Sequence, residues 1–138
     1  MQLLPGGAER AIPFGAGEAM VIETLERVRG PAEQGTNEDC PTGAVQYASW
    51  SDGLSLLFGD DRFVGWSLDD RASGQVETPA GIGPGDTRAQ LNSAHAPEVR
   101  QSTLGTEFSA GEVHGVLDGP STGARITAMW AGASCVAR

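Results

Sequence analysis

Between Val45 and Leu68 the chain leaves no room for a crossover. Three strand-like runs, Val45–Trp50, Leu54–Phe58 and Arg62–Leu68, are parted only by Ser51-Asp52-Gly53 and Gly59-Asp60-Asp61. Both separators are turn sequences. Parallel neighbours need a connection of roughly a dozen residues or more, so these strands must pair antiparallel. Leu54, Leu56 and Phe58 alternate onto one face, as do Val64, Trp66 and Leu68. A sheet that is apolar on one face needs a cover.

The segment before the meander offers that cover. In Glu18–Arg29, Val21, Leu25 and Val28 recur at helical spacing and Ile22 widens the stripe. Glu18 lies at the positive end of the dipole and Arg27 and Arg29 at the negative end, before a Gly30-Pro31 stop. Pro31–Gly43 reads as a polar loop. The helix start, Ile12–Leu25 (IPFGAGEAMVIETL), is echoed by Thr78–Leu91 (TPAGIGPGDTRAQL). There Thr87 and Gln90 have capping-box form, Leu91 and Ala94 give a weak stripe, and Pro97 ends it. Ser102–Phe108, Glu112–Leu117 and Ala124–Ala131 then read as strands, the last with Ile126, Ala128 and Trp130 on one face. The expectation is an α+β fold within a single domain: two tandem helix-plus-antiparallel-meander repeats, about residues 12–70 and 78–135, with helices packed on one face of the sheet or sheets. Asp69–Pro79 would connect them. The spacing from Gly17 to Pro31 is 14 residues and from Gly85 to Pro97 only 12, so a chance echo of two glycine-rich helix starts is the alternative.

A length of 138 residues fits one domain, and 20 Gly with 8 Pro stay below the composition that favours disorder. The net charge is −9, with nine Arg, dispersed, and no Lys. A Schiff-base or P-loop lysine is thereby excluded, and a clustered basic face for nucleic acid is not present. No run is apolar for the ~18 residues of a membrane helix. Cys40 and Cys135 both sit in polar, turn-like contexts, and two thiols alone cannot make a structural zinc site. A Cys40–Cys135 disulfide is the simplest use of the pair. It would close a loop of about 95 residues, for up to about 5 kcal/mol in the loop-entropy picture. Disulfides belong to oxidising compartments. The expectation is an exported protein, periplasmic or extracellular, whose leader is absent from this sequence.

Chemistry is sparse. Asp60-Asp61 and Asp69-Asp70 stand at opposite ends of one strand and read as turn residues. Glu38 and Asp39 beside Cys40 would raise a free thiol's pKa, the wrong direction for a nucleophile. The glycines before each helix lack a Lys-Ser/Thr pair or a βαβ frame, so no phosphate or dinucleotide cradle follows, and no metal or cofactor is expected. His95 and His114 are conceivable general bases, though no Gly-x-Ser-x-Gly elbow accompanies them. The remaining signal is aromatic. Tyr47, Trp50, Trp66 and Trp130 lie on strand candidates, and any displayed on an uncovered sheet face would form a platform for a protein or small ligand.

Two stretches carry a resemblance. Thr78-Pro79-Ala80-Gly81-Ile82-Gly83-Pro84-Gly85-Asp86-Thr87 and Ile126-Thr127-Ala128-Met129-Trp130-Ala131-Gly132-Ala133-Ser134-Cys135 resemble segments of uncharacterised secreted or periplasmic bacterial proteins. The resemblance implies export and a disulfide but no activity. The tandem architecture is similar to the β-lactamase-inhibitor-like fold, from which this chain departs in having no bridge inside each half. The functional expectation is a non-enzymatic binding or interaction module of the cell envelope using an exposed sheet face. The alternative is a small envelope hydrolase or ligand-binding enzyme using His114 or His95.

Overall fold

Tight turns and polar edges together build one wide sheet. The structure, a computed structural model, describes residues 3–8, 12–40, 43–72 and 81–134. In chain order come β1 (Leu3–Leu4), β2 (Gly7–Ala8), α1 (Glu18–Arg29), β3 (Glu33–Asn37), β4 (Val45–Ser49), β5 (Leu54–Gly59) and β6 (Arg62–Leu68). A 3-10 turn (Asp70–Ala72) follows, then α2 (Arg88–Ala94), β7 (Glu98–Ser102), β8 (Gly105–Ala110), β9 (Val113–Leu117) and β10 (Ile126–Gly132). β3 to β10 form a single eight-stranded antiparallel sheet in the order β3-β4-β5-β6-β10-β9-β8-β7. Two runs of hairpins thus meet at their last strands, with Leu68 opposite Met129 and Gly65 opposite Gly132.

This corrects the expected fold class. The protein is mostly β rather than two helix-plus-meander repeats with helices packed on the sheet. The expected polar loop Pro31–Gly43 contains β3, and the strand expected at Ser102–Phe108 is two strands parted by a turn at 103–104. Both missed strands are sheet edges with no buried residue, so neither shows apolar alternation. They join through backbone pairing to β4 and β8. The helices are subsidiary. α2 has seven residues and buries only Leu91, while Val28 of α1, expected on the apolar stripe, is 83% exposed. α1 buries Val21, Ile22 and Leu25 instead. Thr78–Ala80 and Cys135 lie outside the described residues.

What the sequence echo does encode is a local device. Gly15 and Gly85 both take positive φ, 96° and 92°, a conformation that favours glycine. The Gly15 N–H donates to the Phe63 carbonyl, and the Arg62 guanidinium reaches back to the Gly15 carbonyl at 3.3 Å. In the same way the Gly85 N–H donates to the Ile126 carbonyl, and Arg125 reaches the Gly85 carbonyl at 2.6 Å. After each latch comes a bulge, Val64 in β6 and Thr127 in β10, where the register slips by one residue. α2 carries the capping box its sequence predicts, Thr87 and Gln90 bonding reciprocally.

The main core lies on one face of the sheet. One transverse row of paired residues there runs Ala48, Leu56, Trp66, Ala131 and Val113. The next runs Leu54, Leu68, Met129, Gly115 and Phe108, with the Phe108 ring lying over Gly115. Trp66 is fully buried, and its Nε1 donates to the Leu4 carbonyl at 2.8 Å, tying the β1–β2 hairpin to the core. Full burial of an aromatic of this size stabilises by a few kcal/mol, on the order of 25 cal/mol per Å² of apolar area.

Candidate functional site

The opposite face carries the candidate site, and a bulge creates it. With strict alternation, Ile126, Ala128 and Trp130 would share one face. The slip at Thr127 leaves Ile126 in the core and turns Ala128 and Trp130 to the other side. Register then sets Trp130 in a row crossing the whole sheet: Glu33, Ser49, Ser55, Ser67, Trp130, His114, Ser109, Glu98. Directly opposed side chains lie about 5 Å apart, so hydroxyls, imidazole and indole form one continuous polar-aromatic strip.

Beside this strip is a cavity of about 290 Å³. It is lined by Gly53, Ser55, Ser67, Leu68, Asp69, Leu104, Val116, Ala128, Met129 and Trp130. Most of the wall is apolar, and Ser55, Ser67 and Asp69 supply the polar groups. Arg71 hydrogen-bonds the Asp69 carboxylate through Nε and Nη2, and its backbone N–H donates to the same group. The Arg71 side-chain bond is the main reason the Asp69 pKa falls below its ordinary value, so Asp69 is anionic at neutral pH.

One strand further from the cavity, Ser109 Oγ lies 2.7 Å from His114 Nδ1. The His114 ring faces Trp130 with centroids 6.1 Å apart and planes at 32°. Arg100 contacts Ser109 Oγ at 3.3 Å through Nη1 and the Glu107 carboxylate at 3.0 Å through Nη2. Glu107 is fully buried, which fixes the guanidinium over the strip.

The sequence-derived aromatics separate. Trp50 and Trp66 are core residues rather than a platform. Trp50 Nε1 donates to the Gly30 carbonyl at 3.0 Å, with the Arg29 guanidinium 5.2 Å from its ring centroid. Tyr47 is half-buried and packs with Cys40, Val45, Leu57 and Val64 in a second, smaller cluster. Only Trp130 reaches the cavity. His95 closes α2, its N–H donating to the Leu91 carbonyl, and belongs to no part of the strip. Cys40 is buried, and among the described residues no cysteine is a free thiol. Among the described residues no group of three His, Cys, Asp or Glu could hold a metal ion, and no helix is long and apolar enough to cross a membrane. Sequence reasoning missed Ser55, Ser67, Leu104 and Ser109. Ser55 and Ser67 were legible as the polar half of the β5 and β6 alternation, but their place beside Trp130 was not.

A second concavity lies along α1, lined by Glu18, Glu23, Glu26, Gln34 and Asp61 among others. Burial, and then the charge of Asp61, raise the Glu18 pKa above 4.5.

Fold and site together define a mostly-β protein with a ligand-sized cavity on the sheet face away from its core. The chain matches no protein-family model, no curated protein and no solved structure.

Proposed function

We propose that this protein is an exported ligand-binding module whose site is the cavity beside Trp130. The supporting observation is that cavity: about 290 Å³, walled by Leu104, Val116, Ala128, Met129 and Trp130, with two serine hydroxyls on one side. Ligand pockets combine an apolar wall with a few placed polar groups, and this volume sits at their small end. The ligand it suits has an apolar body and one hydroxyl-like polar end. A Cys40–Cys135 bridge would form and persist in an oxidising compartment, which is what favours export.

A series of straight-chain alcohols tests the reading, followed by tryptophan fluorescence on the full chain. Each methylene that enters the cavity should tighten binding roughly fourfold, from about 0.8 kcal/mol per buried CH₂. The gain should stop once the cavity is full. Val116→Trp, which fills the space, should abolish binding. Affinity that ignores chain length, or survives Val116→Trp, sinks the proposal.

A further inference from the structure

The strip next to the cavity holds a second feature that binding does not use, the contact between Ser109 and His114. Arg100 is a donor in every protonation state, so Ser109 Oγ accepts from it at 3.3 Å. His114 Nδ1 lies 2.7 Å from the same oxygen, and in the tautomer with the ring proton on Nε2 the serine's proton points at Nδ1. A hydroxyl that donates to an imidazole nitrogen while accepting from a guanidinium is set up to lose its proton.

We propose that Ser109 is a nucleophile with His114 as its base, and that the protein cleaves medium-chain esters whose acyl chain occupies the Trp130 cavity. The inference rests on the cavity reading given above for where the chain sits. Geometry connects the two. His114 is directly opposite Trp130 and two residues along β9 from Val116, both of which line the cavity. Ser109 is one strand further out, so a carbonyl attached to a bound chain needs to extend about 10 Å from β10, two strand spacings.

The reaction balances with water as the co-reactant. Ser109 Oγ attacks the carbonyl carbon as its proton passes to His114 Nδ1. The carbon–oxygen bond to the alcohol breaks, and the departing oxygen takes that proton. Water then attacks the acyl-serine, gives a proton to His114, and the acid leaves as Ser109 recovers its hydrogen. The Arg100 guanidinium, pinned by buried Glu107, supplies positive charge beside the developing oxyanion.

A fluorophosphonate reagent with a decyl chain tests this on the full chain. Mass spectrometry of peptides from the labelled parent protein should place one adduct on Ser109, so the result needs no variant to fold. His114→Gln should slow labelling by roughly a hundredfold or more, the usual contribution of a positioned base. Hydrolysis of p-nitrophenyl decanoate, whose acyl chain is long enough to span the distance from the cavity to Ser109, should fall in parallel. Label absent from Ser109, or spread over many hydroxyls, overturns the proposal. If alcohols bind while Ser109 stays unlabelled, only the esterase reading falls. If neither occurs, both fall together.

Discussion

Replacing Gly65 by alanine should loosen the seam where the two runs of strands join. Gly65 lies in β6 opposite Gly132 of β10, just after the Val64 bulge. A Cβ built there would meet the Ala133 backbone nitrogen at 2.9 Å and carbonyl carbon at 3.0 Å, with the carbonyl oxygen well inside contact distance. These are backbone atoms, so no rotamer change relieves them. Ala133 is also anchored, its N–H donating to the Val64 carbonyl at 2.9 Å. Overpacking of this kind costs about 1–3 kcal/mol, and a lost hydrogen bond adds about 1 kcal/mol. The expected total is about 2–4 kcal/mol, against a total stability of about 5–15 kcal/mol for a domain. Urea unfolding followed by circular dichroism measures it. With m of about 2 kcal/mol/M, the midpoint should fall by about 1–2 M. Gly119→Ala is the control, because a Cβ there meets nothing within 4 Å, and it should stay within about 0.5 kcal/mol of the parent. A Gly65→Ala midpoint indistinguishable from that of Gly119→Ala would refute the argument that this close approach needs glycine.

Three further expectations are independent of the seam. Removing the latches by Arg62→Met and Arg125→Met should each cost about 0.5–1.5 kcal/mol, with Arg125 the larger because its bond to Gly85 is shorter, 2.6 Å against 3.3 Å; a double variant far from additive would show that the two latches communicate. Glu18 binds its proton more tightly folded than unfolded, since its folded pKa is raised above 4.5; the stability this brings is full below the unfolded pKa and lost as pH rises through the folded one. Glu18→Gln keeps the neutral form, so its melting temperature should gain on the parent between about pH 4 and about pH 7, and an unchanging difference would contradict the shift. Unreduced, unfolded protein should give no reaction with a thiol reagent and two thiols per chain after reduction; reaction before reduction would remove both the bridge and the argument for export.

The legible parts of the fold were those governed by neighbours in sequence. The turns at Ser51–Gly53 and Gly59–Asp61, the β5 alternation, the α1 limits and the capping box at Thr87 all depend on local sterics and spacing. β3 and β7 were hidden because an edge strand needs no apolar face, only a partner with free backbone groups. The candidate site was half visible: Trp130 stood out as an aromatic on a strand and His114 as a candidate base, but nothing marked them as neighbours of each other or of Ser67.

What the sequence determined by itself is a negatively charged, lysine-free chain of short antiparallel strands, two glycine-started helices and a pair of cysteines. Which strands sit side by side was left to tertiary structure. The pairing of β6 with β10 and the one-residue slip at Thr127 are long-range choices, fixed by how Ile126, Met129 and Ala131 pack into a shared core. That slip turns Trp130 and Ala128 out of the core and brings them beside Ser67, Val116 and His114. Side chains alternate with a period of two, so one inserted residue reassigns the face of everything after it. Local spacing carries no record of where such an insertion falls, which is why the cavity exists only in the folded sheet.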